Sequence, residues 1–467
     1  MTRRLLYTLH STLYTLAVLS LLIGCNPQPT NPPEQKQNDS TQVFAANDYV
    51  VYQANEKLFA RSGAFQAIDN HLDSLQQMGV NVLWLMPIFP IGELNTVNSP
   101  YCIRDFKAVN PAFGTLDDLK NLVNHAHQKG MVVILDWIAN HASWDNNWVI
   151  EHPDWFTTAQ TADERAWNDV TFFDFSKHEV KQAMIEAMTY WVKTADVDGF
   201  RCDYAHGCPD EFWVEAIKAI RVLKPNAILL AETSHDNLYN AGFDWLYSWN
   251  YLSAIQDLYT KGSLANLYAV SDREKFATPM GKERLRYVTN HDACAEKANT
   301  QLYKSQEGML AAACLTYFLG GVPLIYSSQE VGYMRQIPFC CRPEDSPLMN
   351  WSDNSTTYEA YKEMMAVYHQ TKEVRAGSFT HVDSNPDMAI LYYKSTIHHP
   401  QSTIHTPQST IHNPQSTIHT PPSTFLLVAI NLSGKEQTAN LPIDLQGVGD
   451  LQRSITLPAY SYRFYQN

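Results

Sequence analysis

Positive charge is scarce in this chain. Lys and Arg number 34 against 48 Asp and Glu over 467 residues, a formal net charge of −14. That balance excludes a nucleic-acid partner, because phosphate binding needs a basic surface. None of the eight cysteines falls in a Cys-x-x-Cys pair, so the usual spacing of a structural zinc site is missing. Besides Cys25 the cysteines are Cys102, Cys202, Cys208, Cys294, Cys314, Cys340 and Cys341. Their odd number leaves at least one unpaired, and most read as small core residues, with one disulfide possible. The apolar stretch near the N-terminus, Leu13 to Ile23, is interrupted by Tyr14, Thr15 and Ser20 and is too short to span a bilayer.

That stretch is informative for what it does fit. It follows a basic Met1-Thr2-Arg3-Arg4 and ends in Leu22-Ile23-Gly24-Cys25, the form of a secretory signal over residues 1–24. Its end resembles the bacterial lipobox, which implies a diacylated Cys25. From Asn26 to Gln42 the chain is mostly Pro, Asn, Gln and Thr, so residues 25–45 read as a flexible tether unable to bury a core. The expectation is an exported, lipid-anchored protein whose partner is a membrane. Asn26 in place of an aspartate favours the outer membrane.

Strand and helix signals alternate from about residue 48 to 375. Val50-Val51-Tyr52 begins the series, and Ile68, Leu72, Leu75 and Met78 are spaced for a helix face. Asn81 to Pro87 reads as a second strand and Leu119 to Lys129 as a further helix. Val180, Met184, Met188 and Trp191 mark a helix before a strand at Gly199, while Phe243 to Trp249 and Gly321 to Tyr326 supply strands six and eight. Such alternation predicts parallel βα units, here a (β/α)8 barrel over residues 46–375. After Ala376 short alternating strands take over, predicting an antiparallel β-sandwich over 376–467. Inside it the tetrapeptide Ser-Thr-Ile-His recurs every seven residues from Ser395, punctuated by Pro400, Pro407, Pro414 and Pro421. The insertion, 395–422, carries five histidines. It is too polar to build a core and reads as an expanded hairpin loop rather than a metal site. Removing it joins Tyr392-Tyr393-Lys394 to Phe425-Leu426-Leu427 as an ordinary hairpin.

Four short segments carry the chemistry: Asp136-Trp137-Ile138-Ala139-Asn140-His141, Gly199-Phe200-Arg201-Cys202-Asp203, Ala231-Glu232-Thr233 and Val288-Thr289-Asn290-His291-Asp292. Each ends a run of β-forming residues, so each places its acidic or imidazole groups at the C-terminal end of a barrel strand, where such barrels carry their chemistry. Together they resemble the four sequence regions of the alpha-amylase family, glycoside hydrolase family thirteen. Ser99-Pro100-Tyr101-Cys102 resembles a further family stretch.

The resemblance implies a set of roles. Asp203 would be the nucleophile, Glu232 the general acid/base and Asp292 the carboxylate that holds sugar hydroxyls. Arg201, on the same side of the strand as Asp203, would keep it ionised, while the neighbouring carboxylates would raise Glu232. His141 and His291 would hydrogen-bond the sugar being cleaved, and Tyr101 would stack beneath it. Where many members have Lys-His after the nucleophile, this chain has His206-Gly207, which leaves His206 as the contact to a leaving-group sugar. Asn140 and Asp174 match two calcium positions, few for an ion that needs about six to eight oxygens. The family's excursion after strand three, here roughly 142–170, is short, so the cleft is expected to be open on that side. The implied activity is retaining hydrolysis of α-1,4-linked glucans. A neopullulanase, cyclomaltodextrinase or transglycosylase is the nearest alternative, and an inactive glucan-binding lipoprotein a more distant one.

Overall fold

The computed structural model describes residues 48–158, 160–161, 164–351, 355–395, 424–447 and 451–466. The signal, Cys25, the whole of the tether and residues 396–422 of the repeat lie outside them. Strands β1 (Val51–Ala54), β2 (Val82–Leu85) and β3 (Val132–Ile138) open the fold. A small sheet follows, of β4 (His141–Ser143), β5 (Phe156–Thr157) and β6 (Val170–Phe173). Then come β7 (Gly199–Asp203), β8 (Ile228–Ala231), β9 (Trp245–Leu246), β10 (Glu283–Arg286) and β11 (Val322–Tyr326). The eight strands outside the small sheet close into one parallel barrel, in the order β1-β11-β10-β9-β8-β7-β3-β2.

Most barrel strands are largely apolar on both faces because helices cover them outside and side chains fill them inside, while β10 (ERLR) is mostly charged. All seven residues of β3 (VVILDWI) are buried, polar Asp136 included. Gly199 opens β7 at φ +150°, and a Cβ there would meet the Ile228 carbonyl of β8 at 2.0 Å. Only glycine permits that approach. The helix His178–Ala195 buries Val180, Met184, Met188 and Trp191 as their spacing predicts. Two expectations are refined. The helix face from Ile68 to Met78 is divided into Ala64–Asp69 and Leu72–Met78, broken at Asn70-His71. Strand six is only two residues long, and Trp249 already begins the helix Trp249–Leu258.

The C-terminal region forms two antiparallel sheets. One orders β12 (Ser378–His381), β13 (Met388–Lys394), β14 (Phe425–Asn431) and β17 (Tyr462–Gln466); the other pairs β15 (Gln437–Asn440) with β16 (Ser454–Leu457). Strands β13 and β14 pair in register from Met388↔Asn431 to Lys394↔Phe425, and Ser395 N donates to Thr424 O at 3.0 Å. The repeat thus leaves and re-enters at two paired positions of one hairpin, as the sequence suggests. Strand β14 alternates between two cores. Leu426, Val428 and Ile430 pack with the barrel, while Phe425, Leu427 and Ala429 pack with Ile455 and Leu457 of the smaller sheet.

Candidate active site

Residues two apart on a strand share a side, so Arg201 and Asp203 of β7 face the barrel axis while Cys202 points into the core. Asp136 is the Cα partner of Arg201 on β3. Its carboxylate joins them, with Arg201 Nη1 lying 2.7 Å from Asp136 Oδ1 and 3.0 Å from Asp203 Oδ1. Arg201 Nη2 lies 2.8 Å from Oε2 of Glu232, which follows β8. The guanidinium is fully buried. Trp84, Tyr247 and Tyr101 surround it, their ring centroids 5.2, 5.4 and 5.6 Å away, a cage that favours a cation.

One guanidinium thus serves several carboxylates. Burial pushes Asp136 up to about 6 against the pull of Arg201. Burial also raises Asp203, with Arg201 opposing and Glu232, Asp136 and Asp292 adding to the rise. Asp292 is pushed up to about 8 by burial and then by Glu232. Four acids around a single fixed positive charge cannot all ionise together cheaply, so the cluster holds protons that belong to the group as a whole. Arg201 does attract Asp203, as the sequence suggests, but burial outweighs it. Glu232 does not face like charges alone, because it shares the arginine.

The imidazoles are set by their partners. Gln53 Nε2 lies 2.7 Å from His291 Nδ1, and His291 Nε2 lies 2.7 Å from Tyr101 Oη. Tyr101 Oη donates in turn to Asp136 Oδ2 at 3.1 Å. With Gln53 donating, the proton of neutral His291 sits on Nε2 and points to the tyrosine. Burial and Arg201 hold His291 well below its usual value, and burial brings His141 down to about 4. The His141 ring lines the cavity, but its Nδ1 is buried away from solvent.

These groups open on a cavity of about 290 Å³ lined by Tyr101, His141, Asp203, Glu232, His291 and Asp292. Trp167, Asp169, Tyr204, Phe339 and Cys340 also contribute to its walls. Six of the eight expected catalytic and sugar-contacting residues therefore converge. Arg201 lies beneath the carboxylates rather than in the wall. His206 is exposed on the turn after β7, its ring 4.2 Å from Tyr204 and 4.7 Å from His235, and does not line the cavity. The excursion after β3 is short, yet its small sheet still brings Trp167 and Asp169 to one wall.

Sequence reasoning missed Asp136, which lies in a quoted segment but was given no role, and also Gln53, Trp84, Tyr204 and Tyr247. It missed Lys57 as well. The buried Nζ of Lys57 donates to Asn98 O (3.2 Å), Phe339 O (2.9 Å) and Cys341 O (2.6 Å). One ammonium thereby ties together the loops that follow β2 and β11, which carry Tyr101 and Phe339 into the wall.

The side chains at the two calcium positions have different partners. The Asn140 amide donates to Glu164 Oε1 at 3.2 Å, while Asp174 accepts from Ser176 N and Oγ at 3.0 and 2.6 Å. Among the described residues no group of three or more His, Cys, Asp and Glu side chains could hold a metal ion. The pair falls short of calcium's oxygen shell. The seven cysteines from Cys102 to Cys341 are all free thiols.

The family profile described as alpha amylase, catalytic domain, matches residues 34–377. A cyclomaltodextrinase of a Bacillus species is 25% identical over 354 residues, 68% of this chain and 60% of that protein. The alpha-amylase MalA of Haloarcula japonica is 28% identical over 306 residues, 62% of this chain and 44% of that protein. The chain thus spans 60% or less of the length of these relatives. The crystal structure of an alpha-amylase from Lactobacillus plantarum superposes with a TM-score of 0.75 at 22% identity, covering 90% of this chain and 99% of that one. That likeness shows the fold.

Proposed function

The chain belongs to the alpha-amylase family, and from that premise we propose that it is a retaining α-glucan hydrolase cleaving α-1,4-glucosidic bonds of starch or maltooligosaccharides. The observation that carries the reading is the shared arginine: Asp203 and Glu232 lie against adjacent nitrogens of one buried guanidinium. Retention needs two carboxyl groups about 5–5.5 Å apart across the anomeric carbon. In this reading Asp203 attacks that carbon and forms a glycosyl ester, while Glu232 protonates the departing oxygen. Glu232 then takes a proton from the water that cleaves the ester. Asp292, His291 and His141 hold sugar hydroxyls, and Tyr101 supports the sugar face. An inactive glucan-binding protein would have no use for four acids gathered around one cation.

Proton NMR of the first product tests the mechanism. The α-anomer should appear first, and initial β-anomer would refute it. Relatives carry both cyclomaltodextrinase and alpha-amylase names, so a cyclomaltodextrinase or neopullulanase is the second reading. Rates on amylose, cyclodextrin and pullulan separate the two. We also propose that Cys25 carries lipid and holds the protein at the outer membrane. Cys25→Ala should release the protein from the membrane fraction, and an unmodified Cys25 in membrane-purified protein would overturn this.

A further inference from the structure

We propose that the end of the barrel opposite the cleft is a docking surface for a lipid bilayer. The cleft lies at the C-terminal ends of the strands. At their N-terminal ends, four large apolar side chains stand in solvent: Val222, Leu223, Phe276 and Met280. Phe276 is 95% exposed, Met280 102% and Val222 76%. Val222 and Leu223 end the helix that leads into β8, while Phe276 and Met280 end the helix and loop that lead into β10. Strands β8, β9 and β10 are neighbours in the barrel, so these side chains share one end of it.

Asp244, just before β9, ties the two groups together. It accepts from Arg221 Nη2 at 2.8 Å and from Lys282 Nζ at 3.1 Å. Arg221 and Lys282, both paired with Asp244, stand beside the apolar tips, as does Lys275, whose Nζ lies over the Phe379 ring and which precedes Phe276 in the chain. Apolar tips flanked by long basic side chains suit the boundary between acyl chains and headgroups, where such side chains reach the phosphates. A soluble surface seldom leaves such side chains bare together without a partner. Among the described residues no helix is long and apolar enough to cross a membrane, so this face would dock and not span.

The place where the described chain begins favours a bilayer over a protein partner. The ring of Tyr49 packs on Trp245 at the start of β9, with centroids 5.0 Å apart. Asp48 pairs with His369 at 2.6 Å and Lys372 at 3.1 Å. The N-terminal segment therefore enters the fold at this same end. If Cys25 is acylated, only 22 residues separate the lipid from Asp48. That holds the face close to the membrane at high effective concentration. Docking this way turns the cleft outward, toward polymeric substrate.

Vesicle sedimentation tests the proposal without any assay of catalysis. The chain from residue 26 onward lacks the signal and Cys25, and the barrel and both C-terminal sheets close within residues 48–466. It should co-sediment with vesicles of phosphatidylcholine and phosphatidylglycerol. The triple variant Val222→Ser, Phe276→Ser, Met280→Ser should partition about tenfold less. Its thermal unfolding and its rate on soluble substrate should stay as in the parent, since none of the three side chains lines the cleft. A parent that partitions no better than the variant overturns the proposal. So does a parent that ignores vesicles but dimerises through this patch, as sedimentation velocity would reveal.

Discussion

The backbone N–H of Tyr204 donates to Oε2 of Glu232 at 3.0 Å, and it does so from a left-handed backbone, φ +42°. A tyrosine there is strained, at a cost of about 1–2 kcal/mol. The turn aims the amide directly after Asp203 at the carboxylate following β8, while the ring lines the cavity wall. Tyr204→Gly keeps the amide and relieves the strain, so kcat should hold within a few-fold while KM rises for want of the ring. Tyr204→Pro removes the N–H and forbids the angle, and kcat should fall about a hundredfold. Steady-state kinetics on a maltooligosaccharide decides; equal effects of the two substitutions would show that the amide does not matter.

Asp292 links the site to pH. Its carboxyl is held above the ordinary 3.8, at about 8, by burial and Glu232. Between roughly pH 4 and 8 the folded chain keeps a proton that the unfolded chain has released, so this group's contribution to stability is lost as pH rises through that window. Asp292→Asn does not titrate. Relative to the parent, the variant should gain stability steadily from pH 4 to pH 8, measured as urea midpoints. A flat difference would show that Asp292 titrates normally in the fold.

Lys57 makes a separable prediction. Lys57→Met preserves much of the volume but strands three partly buried carbonyls, a loss of about 1–3 kcal/mol in urea unfolding. Freed from their common donor, the loops carrying Tyr101 and Phe339 should loosen, and KM should rise more than kcat falls. A fall in kcat alone, with KM unchanged, would place the role of Lys57 elsewhere.

The repeat should be dispensable. Replacing residues 396–423 with Asn-Gly closes the hairpin between the paired Ser395 and Thr424 with a favoured two-residue turn. The rate on short maltooligosaccharides should stay within about twofold, roughly 0.4 kcal/mol of barrier. A loss beyond tenfold, or one restored by added zinc, would make the histidines functional.

Local signals carried most of the reading. Asp203, Glu232, Asp292, His141 and His291 stand next to strand ends that their own apolar runs reveal, and parity along β7 separates Arg201 from Cys202. What escaped depends on distance in sequence. Asp136 meets Arg201 only through the register of β3 on β7, which no local pattern encodes. Phe339 and Cys340 come from an irregular loop, and Lys57 acts through backbone carbonyls, which leave no mark in the sequence. His206 stands where this chain departs from the family's Lys-His pattern, and its ring packs on Tyr204 and His235. The break at Asn70-His71 is invisible to periodicity because the apolar positions continue across it.

Strand β14 has no outer surface. Its odd and even residues belong to different cores, one shared with the barrel and one confined to the C-terminal sheets. Neither half can therefore melt alone without stripping one side of a strand the other half needs. The enzyme should denature in one calorimetric step rather than two, and a nascent chain must wait for its final residues before the catalytic half is fully sealed.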